Sequence, residues 1–277
     1  MSFFPRIMNK PKPYGEGRLV YPDNRIEMPE LMIPGKKPIG LLEVDWNSQM
    51  TKHLEHIWGL GVNIGSCLKD KVGGLDGVNS GLTINQGSLY STATANHATV
   101  GDTASFGYHK NDRRWTAVCQ FKLDDYTADS ADPIIASTYS SSEYGISIYY
   151  DNRNVIGNLK RLTFYMAVGD PGDPVALYYD GVVHDNNMHT YILRSNGMAA
   201  GNTSDLWTDG VHIGSATSSW NPVETTSNMS RPVQLLNLNS TLNFNGTVPL
   251  IMLFGEAIPD TICRSLSADP YQFLEPA

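Results

Sequence analysis

The sequence predicts an all-β protein: an antiparallel β-sandwich preceded by an extended proline-rich N-terminal arm and closed by a short C-terminal helix. Three observations predict it. Only 17% of the 277 residues are charged, while Gly, Ser, Thr, Asn and aromatic residues abound. That is the composition of strands joined by tight turns rather than of long solvated helices. From about residue 41 onward, short alternating or wholly apolar runs are separated by turn clusters, too densely for βαβ crossovers. Between two of these runs stands Asp209-Gly210, a dipeptide that favours a two-residue hairpin.

Residues 1–40 hold seven of the sixteen prolines and show neither a period of 2 nor one of 3.6. They are read as an arm, and residues 41–277 as one sandwich domain. Two readings of the arm stay open: it wraps its own domain, or neighbouring subunits of a larger assembly order it. Phe3, Phe4, Tyr14 and Tyr21 are candidate anchors, with Arg6, Arg18 and Arg25 as candidate charged contacts. Strands are expected near 56–61, 81–90, 103–108, 113–124, 133–139, 144–150, 159–168, 174–180, 187–195, 204–209, 211–216, 232–236 and 248–255. A helix is expected to start at Pro259-Asp260, run through about Ser267 and stop at Asp269-Pro270.

The formal charge of −8 is unevenly distributed: residues 1–40 carry seven basic and four acidic side chains, so the arm is +3 and the rest −11. An acidic body argues against nucleic acid, whose phosphates need clustered Lys and Arg. Cys67, Cys119 and Cys263 are odd in number and far apart, with no CxxC spacing, which points to reduced thiols rather than a disulfide framework or a zinc knuckle. Neither an apolar signal core nor a stretch of about 18 apolar residues is seen, so the expectation is cytoplasmic synthesis and no membrane span.

Several segments, taken in order, resemble laminin-G-like jelly-roll domains of the concanavalin A-like superfamily. The run Arg113 to Lys122 (RRWTAVCQFK) is similar to a strand that follows the first sheet crossing in such domains. Pro133 to Ser137 followed by Glu143 to Tyr149 (EYGISIY) resembles a strand pair of that family. So does Asn187 to Ser195 (NMHTYILRS) with Ser204 to Gly214 (SDLWTDGVHIG), where Met188 stands in a place usually held by an aromatic residue. Gly246 to Phe254 and Ala257 to Leu274 are similar to the closing strand and helix. The ending DPYQFL, and the segment from Val44-Asp45-Trp46 to Leu60, resemble bacteriophage-encoded members. The resemblance spans about residues 41–274 and leaves the arm outside.

Glu43-Val44-Asp45-Trp46-Asn47 is close to the Glu-x-Asp-x-Glu strand of β-glucanases of this superfamily, in which alternation puts both glutamates on one face. An amide in the third position can neither donate nor accept a catalytic proton, so the pair a retaining glycosidase needs is broken. The acidic loops Asp124-Asp125 to Asp129 and Asp170-Pro171-Gly172-Asp173 leave room for Ca²⁺, but no cofactor is required by the sequence. The seven histidines show no HxH or HExxH spacing. Tyr139, Tyr144, Tyr149, Tyr178, Tyr179 and Trp220 are candidates to stack on sugar rings, with about half of them expected in the core; Tyr144, Tyr178 and Trp220 are the preferred three.

The resemblance and the arm together imply a non-enzymatic phage virion protein, made in the host cytoplasm. It would decorate or cement the capsid by docking its arm on capsid or tail proteins, as a homo-oligomer, a trimer if it sits at a capsid threefold. The alternative is a carbohydrate-binding adhesion module that attaches the particle to a host-surface glycan. A polysaccharide-active enzyme ranks last and requires two carboxylates converging in a groove.

Overall fold

A computed structural model describes residues 42–59, 67–85, 88–92, 96–110, 113–124, 131–137, 143–151, 161–168, 175–180, 182, 185–197, 201–217, 227–238 and 242–276. The arm, with Phe3, Phe4, Arg6, Tyr14, Arg18, Tyr21 and Arg25, lies outside the described residues. In chain order the first strands are β1 (Leu42–Val44), β2 (Leu54–Trp58), β3 (Cys67–Leu68), β4 (Gly77–Ser80), β5 (Thr83–Asn85), β6 (Ser88–Ser91) and β7 (His97–Val100). The long central strands follow: β8 (Trp115–Leu123), β9 (Ala131–Ala136), β10 (Tyr144–Asp151), β11 (Arg161–Val168), β12 (Val175–Asp180), β13 (His189–Ser195), β14 (Thr203–Thr208) and β15 (Val211–Thr217). Then come β16 (Val233–Leu235), β17 (Asn237–Leu238), β18 (Leu242–Asn243), β19 (Gly246–Phe254), the helix α1 (Asp260–Ala268) and β20 (Leu274–Pro276).

Two antiparallel sheets form the body. The first runs β12-β11-β10-β9-β16-β7-β4-β3, and the second β15-β14-β13-β8-β19-β6-β5 with β2 also paired to β19. Alternation decides what each face buries. In β11, Leu162, Phe164 and Met166 point into the main core, where they meet Ile146, Ile148 and Tyr150 of β10. From the second sheet, Ala117, Cys119 and Phe121 of β8, Tyr191 and Leu193 of β13, and Ile251 and Leu253 of β19 close that core.

The second sheet is apolar on its other face as well. Val118, Ile192, Trp207, Leu250, Met252 and Phe254 face away from the first sheet and form a separate cluster with Ile258, Cys263 and Leu266 around α1, and with Tyr271, Phe273 and Leu274 beyond it. This is why β19 reads as a continuous apolar run, VPLIMLF, rather than an alternating one. Thr116 stitches the cover to the sheet: its hydroxyl donates to the Glu256 carbonyl at 2.9 Å and accepts from the Ile258 N–H at 3.2 Å. The buried Gln120 accepts a hydrogen bond from the Tyr271 hydroxyl and donates to Thr190 at 3.2 Å, which ties the segment beyond α1 to β8 and β13.

The sandwich and the C-terminal helix agree with the sequence reading. Asp209 and Gly210 have φ of 48° and 84°, the left-handed pair that a two-residue hairpin between β14 and β15 requires. Pro259 caps α1, as expected from its fixed φ. The strand expected over 103–108 does not form. The Asp102 carboxylate accepts from the Ala104 N–H at 2.9 Å and the Ser105 hydroxyl at 2.8 Å, which folds Thr103–Ser105 into a turn. Phe106 and Tyr108 are buried there from an irregular segment, and their spacing imitates a strand. The run expected as one strand at 81–90 is a hairpin, with Asn85 paired to Ser88. Cys119 lies buried on a strand, Cys263 is buried on α1 and Cys67 is half-buried; all three are free thiols.

Candidate functional site

The outer face of the first sheet is unlike that of the second. The residues of β10, β11 and β12 that alternate with the core set fall into register rows. Pro133, Tyr149, Thr163 and Tyr178 stand side by side across β9 to β12. The next row is Ala136, Ser147, Tyr165 and Ala176, and on the other side lies Ala131, Asp151, Arg161 and Asp180. Tyr149 and Tyr178 are thus two strand spacings apart, about 9.5 Å, and Tyr165 sits one step along β11 between them, about 6.6 Å from their row. The result is a triangle of tyrosines with a charged border.

Tyr178 is 50% exposed, and Tyr149 and Tyr165 are half-buried, so their rings are held yet reachable. The Arg161 guanidinium lies 4.8 Å from the Tyr178 ring centroid, and its Nε is 3.4 Å from Asp180 Oδ1. This cation–π stack orients Tyr178 and consumes the one Lys or Arg side chain that β9 to β12 contain. Burial, then the nearby Glu143 charge, then Tyr178 raise the Tyr165 phenol above its usual range, so it stays a neutral hydroxyl. Aromatic faces beside polar edges are what a sugar ring needs: the C–H face stacks while the hydroxyls hydrogen-bond at the rim.

Of the preferred stacking residues, Tyr178 is on this face. Tyr144, at the start of β10, has the opposite parity and packs partly against the core, 6.4 Å from the His109 ring. Trp220 and Tyr139 lie outside the described residues, and Tyr179 is a core residue. Tyr149 shares this face with Tyr178, and so does Tyr165, which the sequence reading did not single out. The signal was present in RLTFYMAV: Leu, Phe and Met occupy one parity, and Arg, Thr and Tyr the other.

A concave region lies where β2, β8 and β19 meet their loops, a polar cleft of about 650 Å³ lined by His53, Glu55, Arg113, Arg114, Gly255 and Glu256. Both oxygens of Glu55 are occupied: Oε1 by Arg113 at 2.5 Å and Oε2 by the Tyr108 hydroxyl at 2.7 Å. Arg113 also stacks on Tyr108, 4.8 Å from its centroid. A Cβ at Gly255 would come within 2.1 Å of Glu55 Oε1, so any larger residue there would displace the Glu55 carboxylate from its present position. A tyrosine hydrogen-bonded to a glutamate invites comparison with tyrosine-nucleophile glycosidases. Burial and the Glu55 charge instead raise the Tyr108 phenol, the opposite of what an activated nucleophile requires.

The other sequence candidates are structural where they are described. Glu43 and Val44 lie on β1, paired with β20, while Asp45 accepts from the Asn47 N–H at 2.9 Å and opens a turn. The Glu-x-Asp-x-Asn segment therefore sits at the margin of the sandwich. His56 pairs with Asp70 at 2.7 Å. Burial alone would raise Asp70, but hydrogen bonds from His56, Ile57, Val72 and Leu75 override it and hold the carboxyl below its usual range. Asp124 pairs with Lys122 at 3.0 Å, and Asp125, Asp129 and the 170–173 loop are outside the described residues. Among the described residues, no group of three or more His, Cys, Asp or Glu is placed to hold a metal, and no helix is long and apolar enough to cross a membrane.

Geometry thus defines a two-sheet β-sandwich with one face covered and one aromatic. No protein-family model matches the chain, and no curated protein matches it. Among solved structures it is similar to a Trypanosoma rangeli sialidase in complex with sialic acid, with a TM-score of 0.53 and 15% identity over 78% of this chain and 33% of that one. It is also similar to the binding domain of botulinum neurotoxin DC in complex with SialylT, with a TM-score of 0.56 and 12% identity over 79% of this chain and 52% of that one. The chain spans about a third of the length of the sialidase chains it matches. At these identities the likeness is one of fold.

Proposed function

We propose that this chain is a non-catalytic carbohydrate-binding β-sandwich module of the concanavalin A-like type. One observation carries the reading: Tyr149, Tyr165 and Tyr178 stand together on the outer face of the first sheet, bordered by Asp151, Arg161 and Asp180. Proteins of similar fold that were solved with sialic acid or SialylT make the reading coherent without naming this chain's ligand. The doubly anchored Glu55 and the raised Tyr108 phenol count against a tyrosine nucleophile in the Glu55–Arg113 cleft. Binding in this account needs no metal.

The test is a glycan array followed by titration of the best oligosaccharide into wild type and the Tyr165→Ala and Tyr178→Ala variants. Each substitution is expected to weaken binding roughly tenfold or more while the circular dichroism melt stays unchanged. Unchanged affinity in both variants rules the tyrosine face out. The setting we propose is a phage virion, with the module displayed and residues 1–40 docking on capsid or tail proteins. That part rests on the sequence resemblance and the arm's composition. Deleting residues 1–40 should leave the body folded and abolish incorporation into particles, and a truncated protein that still incorporates refutes the docking role.

A further inference from the structure

We infer that the polar cleft between β2, β8 and β19 is a second binding site, separate from the tyrosine face, and that it takes a small zwitterion: a ligand with a carboxylate and an ammonium group close together, as in an amino acid or a short peptide. This goes beyond the carbohydrate reading and does not rest on it. Two features point to it, a wall whose charges are matched and a rim whose charges are not.

The wall is built before any ligand arrives. Glu55 is bonded at both oxygens, Oε1 by Arg113 at 2.5 Å and Oε2 by the Tyr108 hydroxyl at 2.7 Å, and Arg113 stacks on the Tyr108 ring. Each of the three side chains is thus held by the other two, and the charges of Glu55 and Arg113 cancel. The pair lies over the backbone of Gly255, where a Cβ would stand 2.1 Å from Glu55 Oε1 and 2.8 Å from Arg113 Nη2. Arg113 still has donors free, since its Nε and Nη1 make no hydrogen bond among the described residues. A guanidinium fixed in this way meets a ligand with little left to order.

The rim is different. Arg114, Glu256 and His53 line it and are exposed, and their side chains make no hydrogen bond or ion pair among the described residues. The bond from the Thr116 hydroxyl to the Glu256 carbonyl at 2.9 Å holds residue 256 beside the start of β8, next to Arg114 in sequence. One guanidinium and one carboxylate therefore stand unpaired in a single cleft of about 650 Å³, a volume typical of small-molecule sites. A simple anion meets like charge at Glu256, and a simple cation meets it at Arg114. A zwitterion answers both, its carboxylate on Arg114 and the free donors of Arg113, its ammonium on Glu256. His53 adds an imidazole that can donate or accept. Its φ of 66° is a conformation few non-glycine residues adopt, and the Gly255 N–H bonded to its carbonyl at 2.9 Å ties it to the floor of the cleft.

The experiment titrates the full chain with glycine, L-glutamine and glycylglycine, and with acetate and methylammonium as the singly charged halves, following backbone amide shifts by NMR. Wild type, Arg114→Gln and Glu256→Gln are compared; both positions are exposed, so the thermal melts should coincide. The expected result is that at least one zwitterion binds roughly tenfold more tightly than acetate or methylammonium, with the shifts gathered at residues 53–58, 113–116 and 253–256. Each variant should weaken that zwitterion roughly tenfold, and Glu256→Gln should close its gap to acetate. Acetate bound as tightly as every zwitterion overturns the charge argument. Shifts outside the cleft, affinity unchanged in both variants, or no binding of any of the three zwitterions overturns the site.

Discussion

The two sheets differ most in what lies on their outer faces. On the second sheet, Val118, Ile192, Leu250, Met252 and Phe254 are wholly buried beneath α1 and the segment Tyr271 to Leu274. On the first, the equivalent parity carries Tyr149, Arg161, Tyr165, Tyr178 and Asp180, with Tyr178 half in solvent. A sandwich needs only its inner faces for a core. The C-terminal tail thus makes the second sheet the middle of three layers, whereas on the first sheet Tyr178 is exposed and Tyr149 and Tyr165 are half-buried beside the buried Ser147, Thr163 and Asp151. The comparison can be broken by substitutions that ask which face stability depends on.

The largest effect is expected at Phe254, fully buried in the outer cluster. Phe254→Ala should cost about 3–5 kcal/mol in denaturant unfolding, from lost burial plus the cavity it leaves. A cost below about 1 kcal/mol would show that the cover is dispensable. Next comes Thr116→Val, which keeps shape but removes both hydrogen bonds to Glu256 and Ile258. Leaving those buried groups unmet should cost about 1–3 kcal/mol.

A smaller, pH-dependent effect is expected at His189. Its Nδ1 faces Asp209 at 2.5 Å and its Nε2 faces Asp185 at 2.8 Å, so both ring nitrogens act as donors in the imidazolium form. Burial works to lower this histidine, but the hydrogen bonds it donates to Asp209 and Asp185 override it and raise it above 6.5. Its contribution is therefore complete below pH 6.5 and lost as pH rises through the raised value. Asp185 is pushed down to about 2, chiefly by its bond to His189, so its share holds above its ordinary 3.8 and is lost as pH falls toward 2. His189→Gln should lower Tm by roughly 2–4 °C near pH 5.5, with the gap closing by about pH 9. A gap that widens with rising pH would contradict the sign. The smallest effect on stability is expected at Tyr178→Ala, within about 0.5 kcal/mol, although binding should suffer most there.

What could be read from the sequence follows the same division. Local chemistry was legible: Asp209-Gly210 specified its hairpin, and Pro259-Asp260 the start of α1. Phe106 and Tyr108 misled because a turn built on Asp102 delivers alternating aromatics to the core without a strand. The site was half legible. Tyr178 and Tyr149 stood out as aromatics, but Tyr144 looked equivalent although its parity faces the core, and Tyr165 hid in an apolar strand. The cleft could not be read, because Glu55 and Arg113 meet across 58 positions of sequence. Nothing in either segment announces its partner.

The most direct test of the claim that the outer face of the first sheet is the binding surface is hydrogen exchange read by mass spectrometry, with and without a saturating amount of the best-binding oligosaccharide. Slowed exchange confined to peptides spanning 144–151, 161–168 and 175–180 is the predicted result. Slowed exchange at 53–58, 113–116 and 253–256 instead, with β10 to β12 unchanged, would place the ligand in the Glu55–Arg113 cleft and contradict the account.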